Sequence, residues 1–280
     1  MEQLLQALLL GLVQGLTEFL PISSSAHLRL VGLLFPTEGG VGEFDPGATF
    51  TAITQLGTEL AVVLYFWRDI SRILVAWSRG IRGRLPQSDP DVRIGWLVVI
   101  GTVPIVLAGY FFQDVIRSTF RSLWIVAIVL IVFGVLLGIA DRLGARQRSF
   151  DQMSYRHGIG VGLAQVLALV PGVSRSGATT TAALSMGYTR PAAARFSFLL
   201  AVPAVFGSGF YELLQSFEEP QPYTFGQTMA ATGVSFVVGL AVIAFLMNYI
   251  SKRSFAPFVA YRIVLGVVLL VLLATGVVAA

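Results

Sequence analysis

The chain has 280 residues, 55% of them hydrophobic and only 12% charged, with a mean hydropathy of +0.79, no cysteine and a formal net charge of +4. A water-soluble domain carries roughly 25% charged residues, so this density excludes a soluble globule and makes lipid the solvent for much of the chain. The missing cysteines exclude a disulfide scaffold, a thiolate zinc site and a cysteine nucleophile. The cations are 18 arginines and one lysine, clustered between apolar stretches rather than spread with aromatics over one polar face, which indicates membrane topology and no nucleic-acid partner.

The first apolar region, 3–35, is interrupted at Pro21 and at Ser23-Ser24-Ser25. It opens on Glu2 and holds Glu18 within it, a pattern unlike a cleaved leader. Gln14 and Glu18 lie one turn apart on one helix face. After the break, Ser23, Ser24 and Ser25 are placed to cap a new helix, and His27 follows Ser24 by three residues on the same face. A serine beside a base suits nucleophilic attack; the plainer reading is a capping triplet with a satisfied histidine.

The first uninterrupted span is 48–67, where Gln55 and Glu59 are one turn apart. They either line a cavity or bond between helices, and the second use is favoured. The linker 68–93 carries Arg68, Arg72, Arg79, Arg82, Arg84 and Arg93. Spans at 94–113 and 120–140 follow, with Arg117 and Arg121 near their junction, and the linker 141–156 adds Arg142, Arg146, Arg148 and Arg156.

The second interrupted region, 155–188, breaks at Pro171-Gly172 and Ser174-Arg175-Ser176. A planar guanidinium beside the free N–H groups of a helix start matches phosphate oxygens in charge and geometry. Ser174, Ser176 and Thr179 add hydroxyl donors, and a pairing of Arg175 with Glu18 would hold the site when empty. Spans at 192–213, 226–249 and 257–278 complete the chain. In the last of them Arg262 is placed to snorkel to the nearer interface. Asp114, Asp141, Glu212, Trp67, Trp77 and Trp96 read as interface residues. Only His27 and His157 exist, so a multi-histidine metal site is excluded.

Six spans and two segments that enter and leave on one side put the arginine clusters, with Arg190, Arg195, Lys252 and Arg253, on a single face. The other face keeps Arg117, Arg121 and the acidic Glu218-Glu219. The basic face is then cytoplasmic and both termini lie outside. The two broken regions also resemble each other: Gln14 precedes Pro21 and its serines much as Gln165 precedes Pro171 and Ser174-Arg175-Ser176. Three spans follow each, which predicts an inverted repeat whose broken helices meet near the bilayer midplane. One membrane domain of two interlocked halves, about 1–140 and 150–280, is expected.

The run Gln14-Gly-Leu-Thr-Glu18-Phe-Leu-Pro21-Ile-Ser-Ser24-Ser-Ala-His27 resembles the first signature of the bacterial undecaprenyl-pyrophosphate phosphatases, the bacitracin-resistance family, and Pro171-Gly-Val-Ser-Arg175-Ser-Gly-Ala-Thr179 resembles the second. The likeness extends to Gln55-Leu-Gly, Phe66-Trp-Arg, Phe196 to Pro203 and Pro257-Phe…Tyr261-Arg, and so covers nearly the whole chain. It implies an all-α fold of six transmembrane helices and two re-entrant hairpins in a bacterial plasma membrane. It also implies loss of the terminal phosphate from the lipid carrier pyrophosphate of cell-wall synthesis, with Mg²⁺ or Ca²⁺ assisting and a homodimer left open. By that resemblance Ser24 is the nucleophile, His27 the nearby histidine, Arg175 the phosphate-binding arginine, and Gln14 and Glu18 the metal-holding positions. Gln14, Gln55, Ser23, Ser25, Ser174, Ser176 and Thr179 are then the substrate-binding candidates. Two departures stand out: Ala26 precedes the histidine where glycine is common, and Glu59 adds a carboxylate where an apolar residue is usual. The rival reading is a polyprenyl-phosphate flippase built on the same repeat. A second, the membrane phosphatases with a histidine nucleophile, requires another histidine near a break.

Overall fold

Each interrupted region folds as two helices joined at its break. In the computed structural model, which describes residues 1–37, 40–41, 46–112, 122–218 and 221–278, the first pair is α1 (Glu2–Thr17) and α2 (Ser24–Gly32). Then come α3 (Gly47–Tyr65), α4 (Trp67–Ile81), α5 (Pro90–Phe111) and α6 (Leu123–Leu143). The second broken pair is α7 (Tyr155–Val166) and α8 (Arg175–Ser185), followed by α9 (Arg190–Gln215), α10 (Phe225–Lys252) and α11 (Ala256–Ala274). Among the described residues β structure is limited to a two-residue antiparallel pairing of Pro36–Thr37 with Gly40–Val41 and an isolated parallel bridge between Arg148 and Tyr188.

The helices α3, α5, α6, α9, α10 and α11 are long and apolar enough to cross a membrane, within a few residues of the six expected spans. Asp114, Arg117, Arg121 and Glu219 lie outside the described residues.

Two expectations need correction. The linker expected over 68–93 begins as a helix, α4, in which Ile73, Ala76 and Gly80 face inward while Trp67, Leu74 and Ile81 form an exposed apolar stripe. The arginines hide this period in a reading of charge alone; such a helix suits the plane of the membrane interface. Asp141 and Glu212, expected at the interface, are buried. Asp141 accepts hydrogen bonds from Arg190 and from the Phe255 N–H at 2.9 Å, joining the end of α6 to the starts of α9 and α11. Glu212 accepts from Thr49 Oγ1 at 2.7 Å, across α9 and α3.

In lipid, helices associate through close packing of small residues rather than through hydrophobic exclusion. Gly162 of α7 lies against Gly101 of α5, where a Cβ would come within 2.6 Å of the facing Cα. The contact pattern has an internal order: α1 packs on α10 as α7 packs on α5, and α3 packs on α10 as α9 packs on α5. The helices α3 and α9 also pack together, as do α6 and α11. This arrangement brings the two breaks together.

Candidate active site

The two breaks are built alike. Ser23 (φ 74°, ψ 97°) and Ser174 (φ 68°, ψ 117°) both occupy the left-handed region that ordinarily favours glycine. Serine is used there because its hydroxyl caps the next helix: Ser23 Oγ accepts from the Ala26 N–H at 3.4 Å and Ser174 Oγ from the Gly177 N–H at 3.2 Å. Each hydroxyl also bonds the serine two residues on, Ser25 at 3.2 Å and Ser176 at 3.1 Å. The strain of about 1–3 kcal/mol per residue therefore comes with two helix starts held open toward one place.

Arg262 holds the breaks together. Far from snorkelling, its side chain is fully buried. Its guanidinium donates to Pro21 O at 3.0 Å in the first break, to Gly172 O at 2.8 Å and Val173 O at 3.0 Å in the second, and to Leu130 O at 3.3 Å on α6. Break carbonyls have no helical partner and no water in the hydrocarbon, so a five-donor fork is the economical way to satisfy them. Arg262 lies less than two turns into α11, which is why its position suggests an interface residue; the broken helices reach to that depth and offer nearer acceptors.

Glu18 is the hub of the site. Its Oε2 accepts from Gln14 Nε2 at 2.7 Å and from Ser24 Oγ at 2.6 Å, and its Oε1 pairs with Arg175 Nη2. The first break thus brings Ser24 back onto the carboxylate of its own preceding helix, and the second delivers the guanidinium from 157 residues away. Ser176 Oγ donates to Glu18 O at 3.3 Å, binding one break to the other.

His27 sits otherwise than beside the nucleophile candidate. Its Nδ1 bonds Ser23 O at 2.7 Å and its Nε2 bonds the Tyr261 hydroxyl at 2.7 Å, so both ring nitrogens are committed elsewhere and Ser24 faces Glu18 instead. Thr179 is buried, bonded to Arg175 O at 2.7 Å and to Ser197. Glu59 is buried without the interhelical bond favoured for it: its Oε1 has no hydrogen-bond partner among the described residues. Tyr261 and Arg262, adjacent on α11, are residues that sequence reasoning noted without placing them in the site; the signal available was a polar pair inside an apolar span, within a stretch that already carried the family likeness.

A cavity of about 600 Å³ opens onto this floor. Glu18, Ser23, Ser24, Ser25, Ser174 and Arg175 form its polar end, and Gln55 lies on its wall. Gln14, His27, Ser176 and Thr179 are not among its lining residues. The remaining wall is largely apolar and includes Val106 and Tyr110 of α5 and Ala204 and Tyr211 of α9. The site combines a hydroxyl on a carboxylate, a guanidinium and two helix N-termini with an apolar channel, a set suited to a phosphorylated amphiphile.

Comparison with known proteins gives concordant results. A family profile described as "Bacitracin resistance protein BacA" matches residues 7–268. A protein of Clavibacter michiganensis subsp. michiganensis named undecaprenyl-diphosphatase is 68% identical over 276 residues, covering 99% of each chain. A Micrococcus luteus protein of the same name is 59% identical over 279 residues, again 99% of each. An Agrobacterium fabrum protein named undecaprenyl-diphosphatase 2 is 54% identical, covering 99% of this chain and 98% of the other.

Proposed function

The chain belongs to the bacitracin resistance protein family, and on that premise we propose that it hydrolyses undecaprenyl pyrophosphate to undecaprenyl phosphate and phosphate. The reaction recycles the lipid carrier of peptidoglycan synthesis and confers bacitracin resistance. The observation that carries this reading is the succession Ser24–Glu18–Arg175 at the cavity floor, where two helix starts converge.

In the proposed sequence, Ser24 Oγ attacks the terminal phosphorus and its proton passes to Glu18 Oε2, 2.6 Å away. Protonation discharges the carboxylate, so Arg175 is released from Glu18 and turns to the phosphate oxygens. The bond to the bridging oxygen breaks and undecaprenyl phosphate leaves. Water then cleaves the serine phosphate; Glu18 returns its proton to Ser24 Oγ and the water proton departs with the phosphate. The helix N–H groups beyond Ser23 and Ser174 face the charge that builds on the equatorial oxygens. His27, bonded to Ser23 O, holds the strained cap in place. Direct attack on the terminal phosphorus by a water molecule that Glu18 deprotonates is the variant in which Ser24 only binds.

The residues present fit a hard divalent cation. Gln14 Oε1 is buried without a partner beside Glu18, and the available donors are oxygens. No three of His, Cys, Asp and Glu converge among the described residues, which suits Mg²⁺, since that ion takes one or two carboxylates and completes its shell with phosphate and water. Glu18 and Gln14 would hold it, and the ion would supply positive charge to the phosphate oxygens.

The cavity wall includes the last turns of α5 and α9 and the first of α3. These ends lie opposite the ends marked by Arg93, Arg190 and Arg195. The positive-inside rule then supports a site open to the outer side, a polyprenyl chain lying between α5 and α9, and an inverted relation of the two halves. Paired breaks at one depth also favour the flippase reading, and one experiment separates the two. Purified protein given C55 pyrophosphate and Mg²⁺ is expected to release phosphate, and to lose that activity with EDTA or Arg175→Ala. Lipid flux in proteoliposomes without phosphate release would reject the hydrolase.

A further inference from the structure

We infer that Glu59 supplies a second carboxylate to the divalent-cation site, so that Gln14 of α1, Glu18 just past its end and Glu59 of α3 together hold the ion. The inference rests on the phosphatase reading above and extends it to a residue that the mechanism leaves unused.

Glu59 is 1% exposed and Gln14 fully buried, and the Oε1 atom of each lacks a hydrogen-bond partner among the described residues. A polar oxygen buried at membrane depth without a donor is costly, and two on neighbouring helices mark a place where a positive group belongs. The two residues occupy one level of the bundle. Phe19, next to Glu18, and Thr58, next to Glu59, both abut Gly239 of α10, while Gly15 and Gly57 both abut Ser235 one turn below. Glu59 also lies within electrostatic reach of Arg175 and Glu18. One turn along α3, Gln55 lines the cavity, so the Gln55–Glu59 face runs from the cavity wall into the bundle beside the site.

The chemistry favours a cation over another hydrogen-bond donor. Gln14 Nε2, Ser24 Oγ and Arg175 Nη2, the donors around Glu18, are already committed to Glu18. Glu18 alone, its charge shared with Arg175, undercompensates a divalent ion, and the Gln14 amide contributes an oxygen but no charge. Glu59 adds the second negative charge in a set of hard oxygens of the kind that Mg²⁺ takes.

The test uses the purified full chain in detergent without lipid substrate, titrated with Mn²⁺ and followed by electron paramagnetic resonance. Glu59→Gln and Glu59→Leu are expected to raise the Mn²⁺ dissociation constant by at least about tenfold. Gln14→Glu in the Glu59→Gln background is expected to restore it, because the charge returns from the facing helix. Thermal unfolding without cation confirms that each variant is folded, and Glu59→Leu, which fills the apolar surroundings, keeps the test readable if the amide variant unfolds. Unchanged Mn²⁺ affinity in either folded variant overturns the assignment, as does a wild-type protein that binds no Mn²⁺ or a loss that Gln14→Glu leaves unrestored. No lipid is turned over in this titration, so failure of the phosphatase reading shows separately, as wild-type protein that releases no phosphate.

Discussion

Replacing Arg262 by methionine preserves the volume and apolar stem of the side chain and removes its donors. The break carbonyls of Pro21, Gly172 and Val173, at 3.0, 2.8 and 3.0 Å from the guanidinium, lose their partner in a region without water. Leu130 O, on a regular helix, loses only a second bond. An unsatisfied buried carbonyl costs about 1–3 kcal/mol, so the three break carbonyls together put the loss at roughly 3 kcal/mol or more. On the scaling of about 2–4 °C per kcal/mol for a chain of this size, Tm in detergent is expected to fall by about 10 °C. Phosphate release is expected to fall with it, because both helix starts lose their anchor. Arg262→Lys keeps the charge, but one ammonium cannot match a planar fork, so it is expected to fall between the two. A folded Arg262→Met protein with Tm within about 2 °C of wild type and normal turnover would refute the clamp and return Arg262 to the membrane interface.

Ser24→Ala is expected to lower phosphate release by about a thousandfold or more with Tm unchanged; near-normal turnover would eliminate the covalent route and leave water activated by Glu18. Glu18→Gln removes the proton acceptor and is expected to cost about 10²–10⁴ in turnover, whereas His27→Gln, whose ring nitrogens are bonded to Ser23 O and Tyr261, is expected to cost far less. Equal losses in the two variants would contradict the placement of Ser24 on Glu18. Gly162→Leu pushes a side chain into Gly101, where a Cβ alone comes within 2.6 Å of the backbone. The variant is expected to lose at least about 1–3 kcal/mol, read as a lower Tm, with Gly162→Ala losing less; an unshifted Leu variant would show that α5 and α7 are not in contact there.

Local chemistry made part of this protein legible without coordinates. Twenty apolar residues cross a bilayer wherever they occur, so the six spans could be counted along the chain. Residues four apart share a helix face, which put Gln14 beside Glu18, and a serine after a proline break is a helix cap in any fold. The resemblance of two short motifs then pointed to lipid pyrophosphate chemistry. Charge misled where a local pattern served two purposes: the arginines of α4 concealed its apolar stripe, and Asp141 near a span end was buried between three helices rather than left at the interface.

Tertiary structure alone decided who holds whom. The bond between His27 and Tyr261 spans 234 residues and that between Arg262 and Pro21 spans 241, separations over which no periodicity or motif carries information. Ser24 meets Glu18 because the chain turns back at Ser23, whose φ is positive, whereas His27, one turn into the helix that follows, meets the Ser23 carbonyl. Composition and spacing determined that a few polar groups lie at membrane depth. The packing of broken helices, which must satisfy every carbonyl without water, determined that Arg262 clamps while Arg175, Glu18 and Ser24 face the cavity.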